Sequence, residues 1–414
     1  MASMLNGNMS RRYFVKVLGA AGAIGATGAL AACGSSSSSS SSTGSDSGSG
    51  AAKFKLGHIG PLTGAAAIYG NATQNGAQIA VDEINAEGGD IQFDLISEDD
   101  EHDPEKSVNA YHNLMDQGMQ ILVGTTTTTP CVAVSTETNN DRVFELTPSA
   151  SSVNVIGGED IGADNPRKDN VFQMCFTDPN QGTASAKYIS EQQLGSKIAI
   201  IYNNADAYST GIYNKFTDEA KDLGLEIVST STFTDDSATD FSVQVGDAKS
   251  SGADLVFLPI YYQPASLILT EANKQGFAPK FFGVDGMDGI LTVEGFDTSL
   301  AEGVMLLTPF NADADDDLTK SFVSKYKDQY GDTPNQFAAD AYDCVYVIKE
   351  LIENSGVTAD QAAADMCDAL IAAITDSGYS HDGLTGEGMT WKDTGEVNKE
   401  PKGMVIQNGA YVGM

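Results

Sequence analysis

The sequence predicts an α/β fold made of two doubly wound, parallel-sheet lobes. Strand-like and helix-like segments alternate from Phe54 to Phe282, and the alternation breaks once, over polar, Gly- and Pro-rich sequence around residues 157–169. Repeated strand–helix units return the chain in one direction, which makes parallel sheets covered by helices on both faces. Open twisted sheets rarely exceed about ten strands, so two sheets fit this many units better than one.

The elements follow in order. Phe54, Leu56 and Ile59 mark a first strand, stopped at Gly60-Pro61. Ala72, Gly76, Ile79, Ala80 and Ile84 recur at helical spacing, and Gly88-Gly89 closes that helix. Ile91, Phe93 and Leu95 alternate as a second strand, and Pro104 opens a helix running toward Gln117-Gly118. Ile121-Leu122-Val123 and Val143 to Leu146 are short apolar runs suited to buried parallel strands. The pattern restarts at Val171. Helices are expected over Thr183–Leu194, Gly211–Leu223, Phe241–Lys249 and Ala265–Lys274. Strands are expected at Ile198–Tyr202, Leu225–Ser229, Leu255–Leu258 and Phe281-Phe282. After Gly303–Leu307 come three helical stretches, Leu318–Tyr330, Gln336–Glu353 and Ala359–Ile374. Met389 to Glu396 reads as a strand and tight turn, and Asn408-Gly409 as a hairpin turn between Met404–Ile406 and Tyr411-Val412.

Ahead of the folded body lies an address. Ser10-Arg11-Arg12-Tyr13-Phe14-Val15-Lys16 precedes a Gly/Ala-rich apolar run from Val17 to Ala32, too short and too weakly apolar for a comfortable membrane span. The paired arginines resemble a twin-arginine export signal. Leu30-Ala31-Ala32-Cys33-Gly34 resembles a bacterial lipobox, which makes residues 1–32 a signal peptide and Cys33 the lipidated N-terminus. Ser35 to Gly50 is nearly all Ser and Gly, a composition that forms a flexible tether, so residues 33–50 are read as anchor and linker.

Composition excludes several functions. With 23 Lys+Arg against 57 Asp+Glu the net charge is −34, which opposes nucleic acid and anionic headgroups alike. A hydrophobic content of 41% suits a folded body rather than a disordered chain. The sequence has no G-x-G-x-x-G, Walker A, H-E-x-x-H or G-x-S-x-G motif. Ser324-Lys325-Tyr326-Lys327 matches S-x-x-K without its companion motifs, and Asp313, Asp315 and Asp317 start a calcium-like loop that lacks its Gly and Glu. The four histidines have no ligand spacing. The reading is therefore a binding protein and not an enzyme, with no cofactor and no metal. Cys131, Cys175, Cys344 and Cys367 contain no C-x-x-C pair and leave disulfides or buried free thiols equally open.

The informative segments are the loops at the carboxyl ends of the strands, where open α/β sheets bind ligands. Gly124 is followed by five threonines, Thr125 to Thr129, and by Pro130, which suits the first position of a helix. Hydroxyls beside the free N–H groups of a helix start make an anion site of carboxylate size. The strand ending at Thr147 delivers Pro148-Ser149-Ala150-Ser151. Gly283-Val284-Asp285-Gly286 offers a lone carboxylate suited to an ammonium, and Tyr69, Tyr208, Tyr261 and Tyr262 fall in comparable places.

An ordered series of motifs then resembles the branched-chain amino-acid-binding proteins, the type I periplasmic binding proteins of ABC importers. The series runs Ile59-Gly60-Pro61-Leu62-Thr63-Gly64 with Tyr69-Gly70, then Ala80 to Gly89, Asp99-Asp100 with Pro104, and Thr147-Pro148-Ser149-Ala150. Asn180-Gln181-Gly182, Asp240-Phe241 and Ala341-Tyr342-Asp343 continue it. The resemblance implies a Venus-flytrap architecture whose lobes are joined by three crossovers and close on a ligand. It assigns residues 53–176 plus 309–383 to the first lobe and 177–308 plus 384–414 to the second. By the same resemblance Thr128 and Ser151 fall where the ligand carboxylate binds, with Thr127 and Ala150 beside them. Ser149 falls where a backbone carbonyl faces the ammonium and Asp285 where an acid takes it, while Tyr69, Tyr208 and Tyr261 line the cleft. Relatives with a disulfide near the site have cysteines where this chain has His102 and Thr127. The implied function is an extracytoplasmic lipoprotein, anchored on the outer face of the cell membrane. It captures an amino acid, branched-chain or otherwise aliphatic, and hands it to a permease. The alternatives are an amide, aromatic acid or other small carboxylate as ligand, or a sensing role.

Overall fold

The computed structural model describes residues 52–158, 165–399 and 401–414. The expected signal peptide, the expected lipidation site Cys33 and the expected tether lie outside them. The described residues belong to one compact unit.

The first sheet is five-stranded, parallel, in the order β2-β1-β3-β4-β5. Its strands are β1 (Phe54–Gly60), β2 (Phe93–Asp99), β3 (Ile121–Gly124), β4 (Phe144–Thr147) and β5 (Val171–Gln173). The connecting helices are α1 (Ala67–Glu87), α2 (Pro104–Asp116), α3 (Thr128–Asp141) and the single turn α4 (Val153–Ile156). All four residues of β3 and of β4 are buried, as strands covered on both sheet faces must be; β3 is apolar, while in β4 Glu145 is held by Thr138 and Cys131 and Thr147 by Thr125 O. At the start of α2 the Asp103 carboxylate accepts the N–H groups of Glu105 and Lys106, and Pro104 fills a position whose N–H has no helical acceptor.

The second sheet has seven strands in the order β12-β11-β10-β9-β8-β6-β7. They are β6 (Lys197–Asn203), β7 (Glu226–Phe233), β8 (Leu255–Leu258), β9 (Lys280–Gly283), β10 (Met305–Thr308), β11 (Lys402–Gln407) and β12 (Ala410–Gly413). β6 to β10 pair in parallel, while β11 and β12 add an antiparallel edge turned at Asn408-Gly409. The helices here are α5 (Asp178–Glu191), α6 (Ala207–Asp222), α7 (Ser242–Ser250) and α8 (Tyr262–Lys274). The chain then returns to the first lobe through α9 (Asp317–Tyr330), α10 (Gln336–Ser355) and α11 (Ala363–Ile374). It passes between the sheets three times: after β5, after β10, and between α11 and β11. These are the two doubly wound lobes and three crossovers expected.

Four local expectations are corrected. Helix α5 begins at Asp178 rather than Thr183, because Pro179 sits in its first turn, where a missing N–H does no harm. Helix α11 begins at Ala363 rather than Ala359. Pro130 occupies the third position of α3, not the first, still within the turn of orphan N–H groups. Met389 to Glu396 keeps its turn, with Gly395 N–H on Lys392 O, but holds no strand: only the isolated bridges His381–Met389 and Trp391–Val397 form, since Thr390 N–H bonds the Asn398 side chain and the Trp391 indole bonds Gln173 O. Among the described residues the four cysteines, Cys131, Cys175, Cys344 and Cys367, are free and buried. Among the described residues no helix is long and apolar enough to cross a membrane.

Candidate functional site

In each sheet the strand order reverses once, between β1 and β3 and between β6 and β8. Loops from the carboxyl ends of β3, β4, β6, β8 and β9 converge between the two reversals, the position a doubly wound sheet offers a ligand.

The threonine run is fixed by a chain of hydrogen bonds reaching back into the first sheet. His58 on β1 bonds the Thr73 hydroxyl at 2.8 Å through Nε2, and Thr73 bonds the Thr126 hydroxyl at 2.8 Å. Thr126 N–H donates to Ile59 O at 3.1 Å. Full burial pushes the pKa of His58 down to about 4, so its imidazole is neutral at pH 7. The Thr147 hydroxyl donates to Thr125 O at 2.7 Å and that of Ser149 to Thr126 O at 2.5 Å. The Thr127 hydroxyl and His102 Nδ1 are hydrogen-bonded at 2.9 Å. What remains free is the start of α3, where the first N–H groups, at Thr128 and Thr129, have no helical acceptor.

Asp285 faces this loop from the other lobe, in the short turn after β9. Its Oδ1 accepts the Tyr208 hydroxyl at 2.6 Å and its Oδ2 the Gln181 amide at 3.0 Å. Gln336 donates to its carbonyl at 3.1 Å. Burial pushes the carboxyl up to about 7, against the opposing effect of these donors.

Aromatic rings complete the walls. Tyr208 and Tyr261 stack 4.7 Å apart and 3° from parallel. Tyr69 packs edge-on against Tyr262 and Phe337, each at 4.7 Å, and His102 stands edge-on to Tyr261 at 5.7 Å. The phenol of Tyr69 donates to Gly286 O and accepts from Tyr262 N–H.

Together these groups enclose a cavity of about 10 Å³, room for a single water. Of the expected residues, Tyr69, Thr127, Thr128, Ser149, Tyr208, Tyr261 and Asp285 line it. Ala150 does not: it is fully buried and packs with Cys131, Val155, Ile156 and Val171. Ser151 is buried just beyond the wall, its carbonyl accepting Asp178 N–H at 2.9 Å. Thr126, Gly286 and Phe337 line the cavity unannounced. The threonine run itself signalled Thr126, whereas nothing in the spacing of α10 singles out Phe337. A cavity of about 730 Å³ lies elsewhere, along α1, α9 and the β11–β12 turn. The small cavity is the candidate site because both sheet reversals, the α3 terminus and Asp285 meet there.

Residues 53–407 match the periplasmic binding protein family, and the chain belongs to it. The chain is 29% identical over 318 residues to the Leu/Ile/Val-binding protein homolog 3 of Brucella melitensis, spanning 75% of this chain and 82% of that protein. It is 26% identical, at a TM-score of 0.76, to the branched-chain amino acid transporter substrate binding protein of Streptococcus pneumoniae solved with isoleucine, over 87% of this chain and 97% of that one. An ABC transporter solute binding protein from R. palustris, solved with benzoate, shares the fold at 18% identity and a TM-score of 0.76, over 87% and 95% of the two chains.

Proposed function

We propose that the protein is the extracytoplasmic binding component of an ABC importer that captures an amino acid between its lobes and delivers it to the permease. One observation carries the reading: the N–H end of α3 and the Asp285 carboxylate face each other across one aromatic-walled cavity, from opposite lobes. An amino acid carries the complementary pair of charges at its α-carbon. Its carboxylate meets Thr128 and the α3 terminus, and its ammonium meets Asp285 and the carbonyl of Ser149. A zwitterion held this way bridges the lobes and favours closure by the difference in its affinity for the closed and open forms. Admission requires the lobes to part, because an amino acid is far larger than a cavity of about 10 Å³. The tyrosine and phenylalanine rings suit an apolar side chain, branched-chain or otherwise aliphatic.

The lobe boundaries belong to the same proposal: residues 53–176 plus 309–383, and 177–308 plus 384–414. So do lipidation of Cys33 behind an export signal and a tether over residues 33–50, which hold the body at the membrane while its net charge of −34 keeps it off anionic headgroups. The chemistry is capture and release, with no bond made or broken in the ligand.

A thermal-shift panel tests the reading. The protein is refolded to strip carried ligand and scanned against the twenty amino acids, amides and aromatic acids. A ligand at one hundred times its Kd adds about 2.7 kcal/mol, a shift of several degrees. Leucine, isoleucine or valine should give it, and Asp285→Ala should abolish it. Shifts from plain carboxylates alone would remove Asp285 from the ammonium role.

A further inference from the structure

The cavity of about 730 Å³ along α1, α9 and the β11–β12 turn lies back to back with the candidate site. Three elements present neighbouring residues to both. Helix α1 gives Ile68 to the large cavity and Tyr69 to the small one, the turn after β9 gives Asp288 and Asp285, and the start of α10 gives Asn335 and Phe337. Gln336 stands in the partition, its N–H on Asp288 Oδ2 at 3.0 Å and its amide on the Asp285 carbonyl at 3.1 Å. Small-molecule pockets span roughly 300–1,000 Å³, a range that includes the large cavity.

The lining of this cavity favours a cation. Asp288, Asp313 and Asp332 border it against one positive group, Lys327, and none of these four takes part in an ion pair among the described residues. Asp288 is 5% exposed, and its carboxylate meets neutral donors, among them Gln336 N–H and the Tyr411 hydroxyl. Tyr326 and Tyr330, one turn apart on α9, line the same cavity with ring centroids 5.0 Å apart. Carboxylates beside aromatic rings suit an organic cation: the acids match its charge, and the rings attract that charge and cover the apolar body. An anion would face three carboxylates, and a neutral body would leave them unmatched.

The walls come from both lobes, α1, α9 and Asn335 from the first and Asp288 to Thr292 with the β11–β12 turn from the second. They touch at Gly289, whose φ is 105° and where an added Cβ would stand 2.9 Å from Ile68 Cγ2. Tyr330, Asp332 and Gly409 are exposed at the rim, so a ligand enters without parting the lobes.

We propose that this cavity is a second small-molecule site, for an organic cation with an apolar or aromatic body, whose occupation favours the closed form and so tightens the hold on the amino acid. The site stands on its own lining, whereas the coupling rests on the amino-acid reading. A ligand that touches both lobes when they are closed and one when they are open shifts the balance by that difference, and the effect is reciprocal.

Tryptamine is the probe, with tryptophol and indole-3-propionate as neutral and anionic controls of similar shape, each titrated calorimetrically into the full-length protein. Tryptamine should bind, and both controls should bind about tenfold more weakly or worse, the scale of a charged hydrogen bond. Asp288→Asn should weaken tryptamine about tenfold, while Asp285→Ala leaves it within about twofold. Tyr330→Ala removes a half-open ring, should cost about threefold, and serves if Asp288→Asn folds poorly by circular dichroism. Saturating tryptamine should lower the Kd of L-leucine, or of whichever of the twenty amino acids binds tightest, about fivefold or more. Absence of tryptamine binding, equal binding of tryptophol, or a loss at Asp285→Ala in place of Asp288→Asn overturns the site. Unchanged or weakened amino-acid affinity overturns the coupling. If the protein binds tryptamine and no amino acid, the amino-acid reading falls while the site stands. Coupling is then read by small-angle scattering, where a radius of gyration that tryptamine does not reduce overturns it.

Discussion

Tyr69 and Gly286 are joined across the cleft: the phenol on α1 donates to the carbonyl in the turn after β9 at 2.5 Å. The same oxygen accepts Tyr262 N–H at 3.1 Å, so one hydroxyl from the first lobe satisfies two backbone groups of the second. Tyr69→Phe keeps the ring against Tyr262 and Phe337 but leaves both groups unpaired. The closed form should lose about 1–3 kcal/mol. Titration calorimetry should show ligand binding weakened between roughly fivefold and a hundredfold, and small-angle scattering should show a larger radius of gyration for the free protein. Unchanged affinity would mean that this bond does not hold the lobes together.

Stability should rise as the pH falls from 8 toward 5. Burial lifts Asp285 and Glu145 to about 7 and Asp100, Asp288 and Asp340 to about 6, from ordinary values of 3.8 for Asp and 4.5 for Glu. Between the two sets of values the folded chain holds protons that the unfolded chain has lost, so acid favours the fold, by about 1.4 kcal/mol per pH unit for each fully titrating group. His58 opposes them: held near 4 when folded, it stays neutral where the unfolded imidazole, at 6.5, takes a proton. Five groups outweigh one. A Tm measured by calorimetry should climb by several degrees from pH 8 to 5. Below about 4 it should fall, as Asp99, Asp254 and Asp316, held low by their hydrogen bonds, become protonated.

The third crossover is pinned by a buried ion pair. Lys399 Nζ lies 2.6 Å from Asp340 Oδ1 on α10, with side chains 1% and 2% exposed, and also donates to the Thr385 hydroxyl at 2.6 Å. Lys399→Met leaves the Asp340 carboxylate without its cation and should cost about 3–5 kcal/mol in urea unfolding at pH 8. Adding Asp340→Leu should recover much of that loss, because the uncompensated charge is then gone. A single variant as stable as wild type would show the pair to be dispensable.

Helix α1 crosses α10 at Gly76. A Cβ there would stand 1.9 Å from the carbonyl oxygen of Ala338, a backbone atom that cannot swing aside. Gly76→Ala should therefore cost about 1–3 kcal/mol despite the better helix propensity of alanine, as read from the midpoint of a denaturant titration. A stabilised variant would mean that the two helices can separate freely.

Much of this architecture is legible in the sequence because parallel strands covered on both faces leave a strong signature. Ile121–Gly124 and Leu255–Leu258 are four-residue apolar runs and fully buried strands, and Phe144–Thr147 is fully buried too although it carries Glu145 and Thr147. The loops after these strands and after β9 line the candidate cavity, which is why the threonine run, Ser149, Tyr261 and Asp285 stand out by position, while the resemblance singles out Thr127 and Thr128 within the run. Gln181 and Phe337 could not. Gln181 meets Asp285 across 104 residues, and Phe337 reaches the cavity from a helix that follows the second crossover. Local periodicity records which face of a helix is buried, not which distant loop it is buried against. The strand expected within Met389–Glu396 fails for a related reason: backbone groups there bond to side chains and to single bridge partners, so a strand-like segment forms no sheet.

The hydrogen bond between His102 and Thr127, and four thiols that are all reduced and interior, have a consequence for how the protein is made. Nothing in its described interior waits for an oxidant. The chain can reach its final packing in a reducing cytosol, before any membrane is crossed, and an export route that carries finished proteins would receive one already complete.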